Sequence, residues 1–189
     1  YPGRFHPFHV GHASVYNKLT QKFPYADVYI TTSGKVDPLK SPFTFDEKKK
    51  MMISAGVQPE AIVQVKSPYI AQEITSRYDA DSVKVIYAVS EKDMKGPNAR
   101  FKFGTKKDGS PSYFQPFVSV GESEVMSKHG YVDVLPTMDF KIGNSNVRSA
   151  SEIRKMYRDA NTDQRKKIIH ALYGSVDNEI LDIFDSKIN

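Results

Sequence analysis

Gly3-Arg4-Phe5-His6-Pro7-Phe8-His9-Val10-Gly11-His12 joins a glycine-containing loop to the start of a helix. Beyond it, Val10, Val15, Tyr16 and Leu19 fall on one helical stripe running to residue 22, and Pro24 limits that helix. Asp27-Val28-Tyr29-Ile30-Thr31-Thr32 then reads as a buried strand that ends in the turn Ser33-Gly34. Helix and strand keep alternating. Thr44-Phe45-Asp46-Glu47 has capping-box spacing and predicts a helix to about Ala55, closed by Gly56. A short strand is expected over 61–65 and a helix over 69–78. Val83-Lys84-Val85-Ile86-Tyr87-Ala88-Val89 is the clearest central strand, and Tyr131 to Leu135 is another. Strands separated by helices imply βαβ units and a parallel sheet. The expected class is α/β: a Rossmann-like parallel sheet with helices on both faces, followed by C-terminal helices over 162–173 and 177–184.

A chain of 189 residues suits one domain with a single core. That domain is expected over 1–160, with 161–189 as a helical extension packed on it. The segment 94–130, rich in Lys, Gly, Pro and aromatics, interrupts the alternation; its Lys107-Asp108-Gly109 turn predicts a hairpin-like excursion. Hydrophobic residues at 39% and charged residues at 26% mark a globular chain rather than a disordered one. No apolar run reaches membrane-spanning length, so no membrane partner is expected. The absence of cysteine excludes disulfides and cysteine-zinc sites and is compatible with the cytoplasmic location expected here. The net charge of +5 and pI near 9.2 favour anionic ligands.

In open parallel sheets, ligands bind beyond the carboxyl ends of strands. Ser33, Ser90 and Asp93 all follow strands in that manner. A helix start offers unpaired N–H groups and a positive dipole end. His9 and His12, three residues apart around Gly11, add side-chain donors aimed at the same point. Such a constellation suits a triphosphate attacked at its α-phosphorus. Arg148-Ser149-Ala150-Ser151-Glu152-Ile153-Arg154 forms a second helix start: Ser149 and Glu152 have capping-box spacing, Ser151 competes as N-cap, and Arg154 lies one turn in.

The first segment resembles the HxGH signature of the nucleotidyltransferase superfamily, and its longer form is most similar to the adenylyl-transferring members, which read GRFxPFHxGH. Cytidylyl-transferring members more often carry an Asp that this chain lacks. The second segment resembles the superfamily's ISSTxIR motif, with Ala150 and Arg148 as departures. Ser41-Pro42-Phe43-Thr44-Phe45-Asp46-Glu47-Lys48 resembles the NPFTAGER segment of archaeal-type nicotinamide-mononucleotide adenylyltransferases, with Asp46 for Gly and Lys48 for Arg. In that superfamily a first strand leads into the Gly3 segment; most of it would precede Tyr1.

The resemblance implies transfer of AMP from ATP to a phosphate-bearing acceptor, nicotinamide mononucleotide among the candidates, with release of pyrophosphate. His9 and His12 would hold the α/β-phosphates and stabilise the transition state. Arg154, with the helix start at Ser149 and Ser151, would hold the β/γ-phosphates. Gly3, Arg4, Phe5, Gly11 and Ile153 would complete the nucleotide site. Thr32, Ser33, Phe43 and Asp93 are the candidate acceptor contacts. A Mg²⁺ bridging the triphosphate is the implied cofactor, with no protein metal site assigned. Relatives often stack the nicotinamide on a tryptophan; this chain has none, which leaves Tyr69, Tyr87 or Phe43 for that role.

Other readings stay open. One is cytidylyl transfer from CTP to a polyol or sugar phosphate. Another, from a different class, is a nucleic-acid-binding or scaffold protein derived from the same fold, because Arg100 to Lys107 interleaves Phe101 and Phe103 with cations. A lysine-rich loop with its aromatics tucked into the core is favoured over nucleic-acid binding. Self-association to a homo-oligomer is also left open.

Overall fold

The computed structural model describes all residues except 98, 137–139, 148 and 189. In chain order the elements are α1 (Val10–Lys22), β1 (Ile30–Thr32), α2 (Phe45–Ser54), β2 (Ile62–Gln64), α3 (Gln72–Thr75), β3 (Val85–Ser90), β4 (Phe114–Pro116) and β5 (Gly130–Leu135). They continue with β6 (Phe140–Ile142), β7 (Ser145–Val147), α4 (Ala150–Asp159), α5 (Thr162–Tyr173) and α6 (Asn178–Lys187). The chain forms two compact units. One comprises Gly3–Gln64 and Met138–Asn189, the other Tyr1–Pro2 and Val65–Thr137.

In the first unit β1 and β2 pair in parallel, with Ile30 opposite Ile62, as the alternation of strand and helix requires. β6 and β7 form a short antiparallel hairpin that leads into α4. The expected capping box at Thr44 is complete: the Glu47 N–H donates to Thr44 Oγ1 at 3.3 Å, and the Thr44 N–H donates to Glu47 Oε2 at 2.7 Å. α5 and α6 are built into this unit through its aromatic core. Phe184 is fully buried and packs on Phe43 and Tyr157 at ring distances of 5.2 and 5.0 Å. Asp185 accepts from Tyr157 Oη at 2.8 Å and from Arg165 at 2.7 Å, which fastens α4, α5 and α6 together.

α5 also reaches the histidine loop. Buried Tyr173 donates its hydroxyl to the Phe8 carbonyl at 2.8 Å, one residue before His9. Tyr173→Phe should lower unfolding free energy by about 1–3 kcal/mol, because a buried carbonyl loses its partner. Urea denaturation measures this; a loss below roughly 0.5 kcal/mol would mean that the carbonyl is satisfied without Tyr173.

In the second unit β3 and β4 flank β5, all parallel. Two expectations need correction here. The helix over 69–78 shrinks to Gln72–Thr75, since Tyr69 donates to Asp93 and the Ile70 carbonyl accepts from Tyr87, tying both residues toward the end of β3. The excursion is hairpin-like only close to its turn, where the Ser112 N–H donates to the Gly104 carbonyl and the Lys106 N–H to the Ser110 carbonyl. An antiparallel bridge, Thr105 to Pro111, closes over the Asp108-Gly109 turn, where Gly109 takes φ +82°. Phe114 lies in β4 and joins Tyr87, Val89, Phe101 and Val132 in an apolar cluster. Burial of those aromatics outweighs the local hairpin preference. It also removes Phe101, 3% exposed, from any nucleic-acid-stacking role, although Phe103 remains exposed. No helix among the described residues is long and apolar enough to cross a membrane.

Candidate functional site

The site begins in the backbone of the Gly3 segment. Gly3 donates to the Thr31 carbonyl at 3.0 Å, which lays the loop against the end of β1. Phe5 then adopts φ +54°, a left-handed conformation that a side-chain-bearing residue holds only when its surroundings enforce it. Its ring folds back over Gly3, where an added Cβ would overlap the ring carbons. No other residue fits there.

His9 is the N-cap of α1, and its Nδ1 accepts the Gly11 N–H at 3.1 Å. That bond assigns the proton of neutral His9 to Nε2, leaving Nε2–H as a donor. The same ring lies so close over Gly11 that a Cβ there would come within 2.9 Å of it. His12 sits one turn on, its ring 3.9 Å from that of His9, with Phe5 and Phe8 each at 5.2 Å. Phe140, at the start of β6, stacks on His9 at 4.3 Å and 22°. His12 Nδ1 is buried and has no hydrogen-bond partner among the described residues. A buried polar atom left unpaired costs about 1–3 kcal/mol and is found where a ligand or function accounts for it.

Burial keeps these imidazoles neutral. His9 is pushed down to about 4 by desolvation, and His12 falls well below the ordinary histidine value through burial and the adjacent His9. His6, 4% exposed and stacked on Phe43, is lowered to about 3 by burial and then by Lys48, Arg154 and Arg4. At neutral pH the histidines therefore offer N–H groups, and the positive charge comes from Arg4, Lys48 and Arg154.

Arg154 connects the two motifs. Its Nη1 donates to the His6 carbonyl at 2.6 Å and its Nη2 to the Leu39 carbonyl at 3.2 Å, leaving further N–H groups of the fork available. Burial lowers its pKa, with Arg158 and Arg4 adding like-charge repulsion. At the start of α4, Ser149 rather than Ser151 is the N-cap and accepts the Glu152 N–H at 3.3 Å. The Ser149 and Ser151 hydroxyls lie 3.0 Å apart, and Ser149 also donates to Glu152 Oε1. Arg148 lies outside the described residues.

Several expected contacts serve elsewhere. Thr32, Phe43 and Ile153 are 0–1% exposed, so their side chains support the site and present no surface to a ligand. Thr32 Oγ1 takes a bond from Lys48, Phe43 lies between His6 and Phe184, and Ile153 anchors α4 in the core. Ser33 contributes its carbonyl to Lys48. Asp93, in the second unit, accepts from Tyr69 Oη at 3.0 Å and Ser90 Oγ at 2.9 Å. There Tyr87 is buried while Tyr69 is half-buried, with the Arg100 guanidinium 4.9 Å from the centre of its ring. Residue spacing alone gives no role to His6, Phe140 or Tyr173 and makes Lys48 a helix-face lysine. Phe140 carries no spacing signal at all; Lys48 is visible only as a departure from a motif.

No group of three His, Asp or Glu side chains that could hold a metal ion occurs among the described residues. Around the histidines the side-chain donors are nitrogens, whereas Mg²⁺ demands oxygen ligands. Residues 1–156, which include both helix starts, match the family model described as Cytidylyltransferase-like. No curated protein and no solved structure matches the chain.

Proposed function

The chain belongs to the cytidylyltransferase-like family of nucleotidyltransferases, and from that premise we propose that it transfers AMP from ATP to a phosphate-bearing acceptor, nicotinamide mononucleotide first among them. The observation that carries this reading is the pair of neutral imidazoles at the start of α1, with His12 Nδ1 lacking a partner among the described residues, together with Arg4, Lys48 and Arg154 around His6 in the loop that leads to them. An anion with several phosphates would meet the imidazole N–H groups and the guanidinium groups of Arg4 and Arg154. The motif with Arg4 and without the Asp of cytidylyl-transferring relatives supports adenine over cytosine.

An oxygen of the acceptor phosphate attacks the α-phosphorus, a new P–O–P bridge forms, and the bond to the α–β bridging oxygen breaks. Pyrophosphate leaves with that electron pair. The acceptor phosphate is already ionised at neutral pH, so no general base is required. His9 Nε2–H and the His12 imidazole stabilise charge at the α- and β-phosphates. Arg154 and the free N–H groups at the start of α4 hold the β/γ end, which becomes the leaving group. Magnesium would enter with the nucleotide and would supply charge neutralisation at its phosphates.

Pyrophosphate release from ATP and from CTP tests the reading, with nicotinamide mononucleotide, FMN, phosphopantetheine, and sugar and polyol phosphates as acceptors. ATP with nicotinamide mononucleotide should give the largest kcat/KM. Preference for CTP with a polyol phosphate would replace it by the cytidylyl reading, and salt-dependent oligonucleotide binding without turnover would replace it by the nucleic-acid reading.

A further inference from the structure

Lys48 is 0% exposed. Its Nζ donates to Thr32 Oγ1 at 2.7 Å, to the Ser33 carbonyl at 2.5 Å and to the Arg4 carbonyl at 3.4 Å. Three donors meet three acceptors, so the hydrogen bonding is complete, but every acceptor is neutral. Among the described residues no carboxylate offsets its charge, and burial lowers its pKa to about 8. The carboxylate beside it on α2, Glu47, is engaged by the Thr44 N–H and by Lys187. The other charged groups around His6 are Arg4 and Arg154, both cations. A buried ammonium without a counter-charge is costly unless a ligand supplies one.

The position of this ammonium matters. Thr32 Oγ1 also donates to the Arg4 carbonyl, at 3.4 Å, so Lys48 and Thr32 together hold the peptide that precedes left-handed Phe5. Phe5 in turn sets its ring edge against His12 at 5.2 Å. The path from α2 to the imidazole is thus short and entirely within one unit.

We propose that Lys48 is a positioning residue of the nucleotide site: it fixes the Arg4–Phe5 turn that places His12, and its buried charge is compensated when the triphosphate binds. This rests on the reading of the site as a nucleotide site. ATP binding stabilises the charged ammonium, so affinity is full while Lys48 is protonated and declines as the pH rises above the value of the free protein. The groups facing Lys48 do not imitate this. His6 titrates far below that interval, Thr32 and Ser33 are uncharged, and Arg4 and Arg154 are guanidinium groups.

The test is calorimetric titration of the full chain with Mg·ATP from pH 7.0 to 9.5. Wild-type affinity should weaken by up to about tenfold per pH unit above pH 8. Lys48→Arg, whose guanidinium keeps its charge, should bind with a flat profile. Lys48→Met should bind weakly at every pH and lower kcat by about a hundredfold through misplacement of His12. A flat wild-type profile overturns the proposal, as does a Lys48→Arg profile that falls like the wild type. The wild-type measurement decides even if the variants fail to fold. Absence of ATP binding at pH 7 would instead defeat the nucleotide reading itself.

Discussion

His12→Ala is expected to lower kcat by about 10²–10³-fold while changing ATP affinity by less than about tenfold. The asymmetry follows from the site. On the proposed reading, ground-state binding of the triphosphate would be spread over Arg4, Arg154 and the starts of α1 and α4, so one imidazole would be a minor share of it. Charge that develops between the α- and β-phosphates has fewer donors at hand. His12 is also tightly placed. Phe5, Phe8 and His9 confine its ring, and its Nδ1 has no protein partner among the described residues. The Ala variant leaves the helix N-cap to His9, so α1 should persist. Single-turnover kinetics with ATP and the best acceptor, together with ATP binding by calorimetry, separate the two effects. Unchanged turnover would show that His12 is a packing residue and would leave His9 and Arg154 as the stabilising groups.

The second large effect is on stability. His6, His9 and His12 are neutral in the folded chain, with values lowered to about 3, about 4 and well below the ordinary value of 6.5. In the unfolded chain they titrate near 6.5. Above that pH neither state binds a proton and the histidines contribute no pH dependence. As pH falls below 6.5, the unfolded state takes up protons that the folded state refuses, so stability is lost progressively toward pH 4 and, for His6, toward pH 3. Each histidine contributes a slope of at most about 1.4 kcal/mol per pH unit, and three together about 4. Typical domain stabilities are about 5–15 kcal/mol, so most of the margin should disappear between pH 6.5 and 4.5. Urea midpoints across that range measure it, and saturating ATP should oppose the loss. A flat profile from 6.5 to 4.5 would mean that the imidazoles protonate in place.

The elements that could be read along the chain are those whose cause is local. Thr44 and Glu47 satisfy each other's backbone within one turn, so the start of α2 needs no distant partner. The β-branched run before Ser90 is a buried strand in any parallel arrangement, and it pairs with β5 over its full length. The end of α5 at Tyr173 follows from Gly174, which takes φ +81°. Where local preference met a distant competitor, the competitor won. The helix over 69–78 kept only Gln72–Thr75, with Tyr69 and Ile70 bonded to Asp93 and Tyr87, and the Asp-Gly hairpin pairs only near its turn while Phe101 and Phe114 join the apolar cluster. A mid-helix lysine reads as a solvated side chain because nothing nearby in sequence indicates the burial of Lys48.

By itself the sequence determined the family, because the resemblance of Gly3 to His12 and of Arg148 to Arg154 to the HxGH nucleotidyltransferase motifs can be read from residue spacing, and the family match over residues 1–156 agrees with it. Tertiary structure decided how that start is held and charged. Arg154 comes from 148 positions away to the His6 carbonyl, Tyr173 from 165 positions away to the Phe8 carbonyl, and Lys48 from 44 positions away to the Arg4 carbonyl. Capping and periodicity act over one or two turns and can be read from residue spacing. Burial of a cation, desolvation of an imidazole and the filling of a carbonyl depend on which distant side chain arrives, and only the folded chain specifies that.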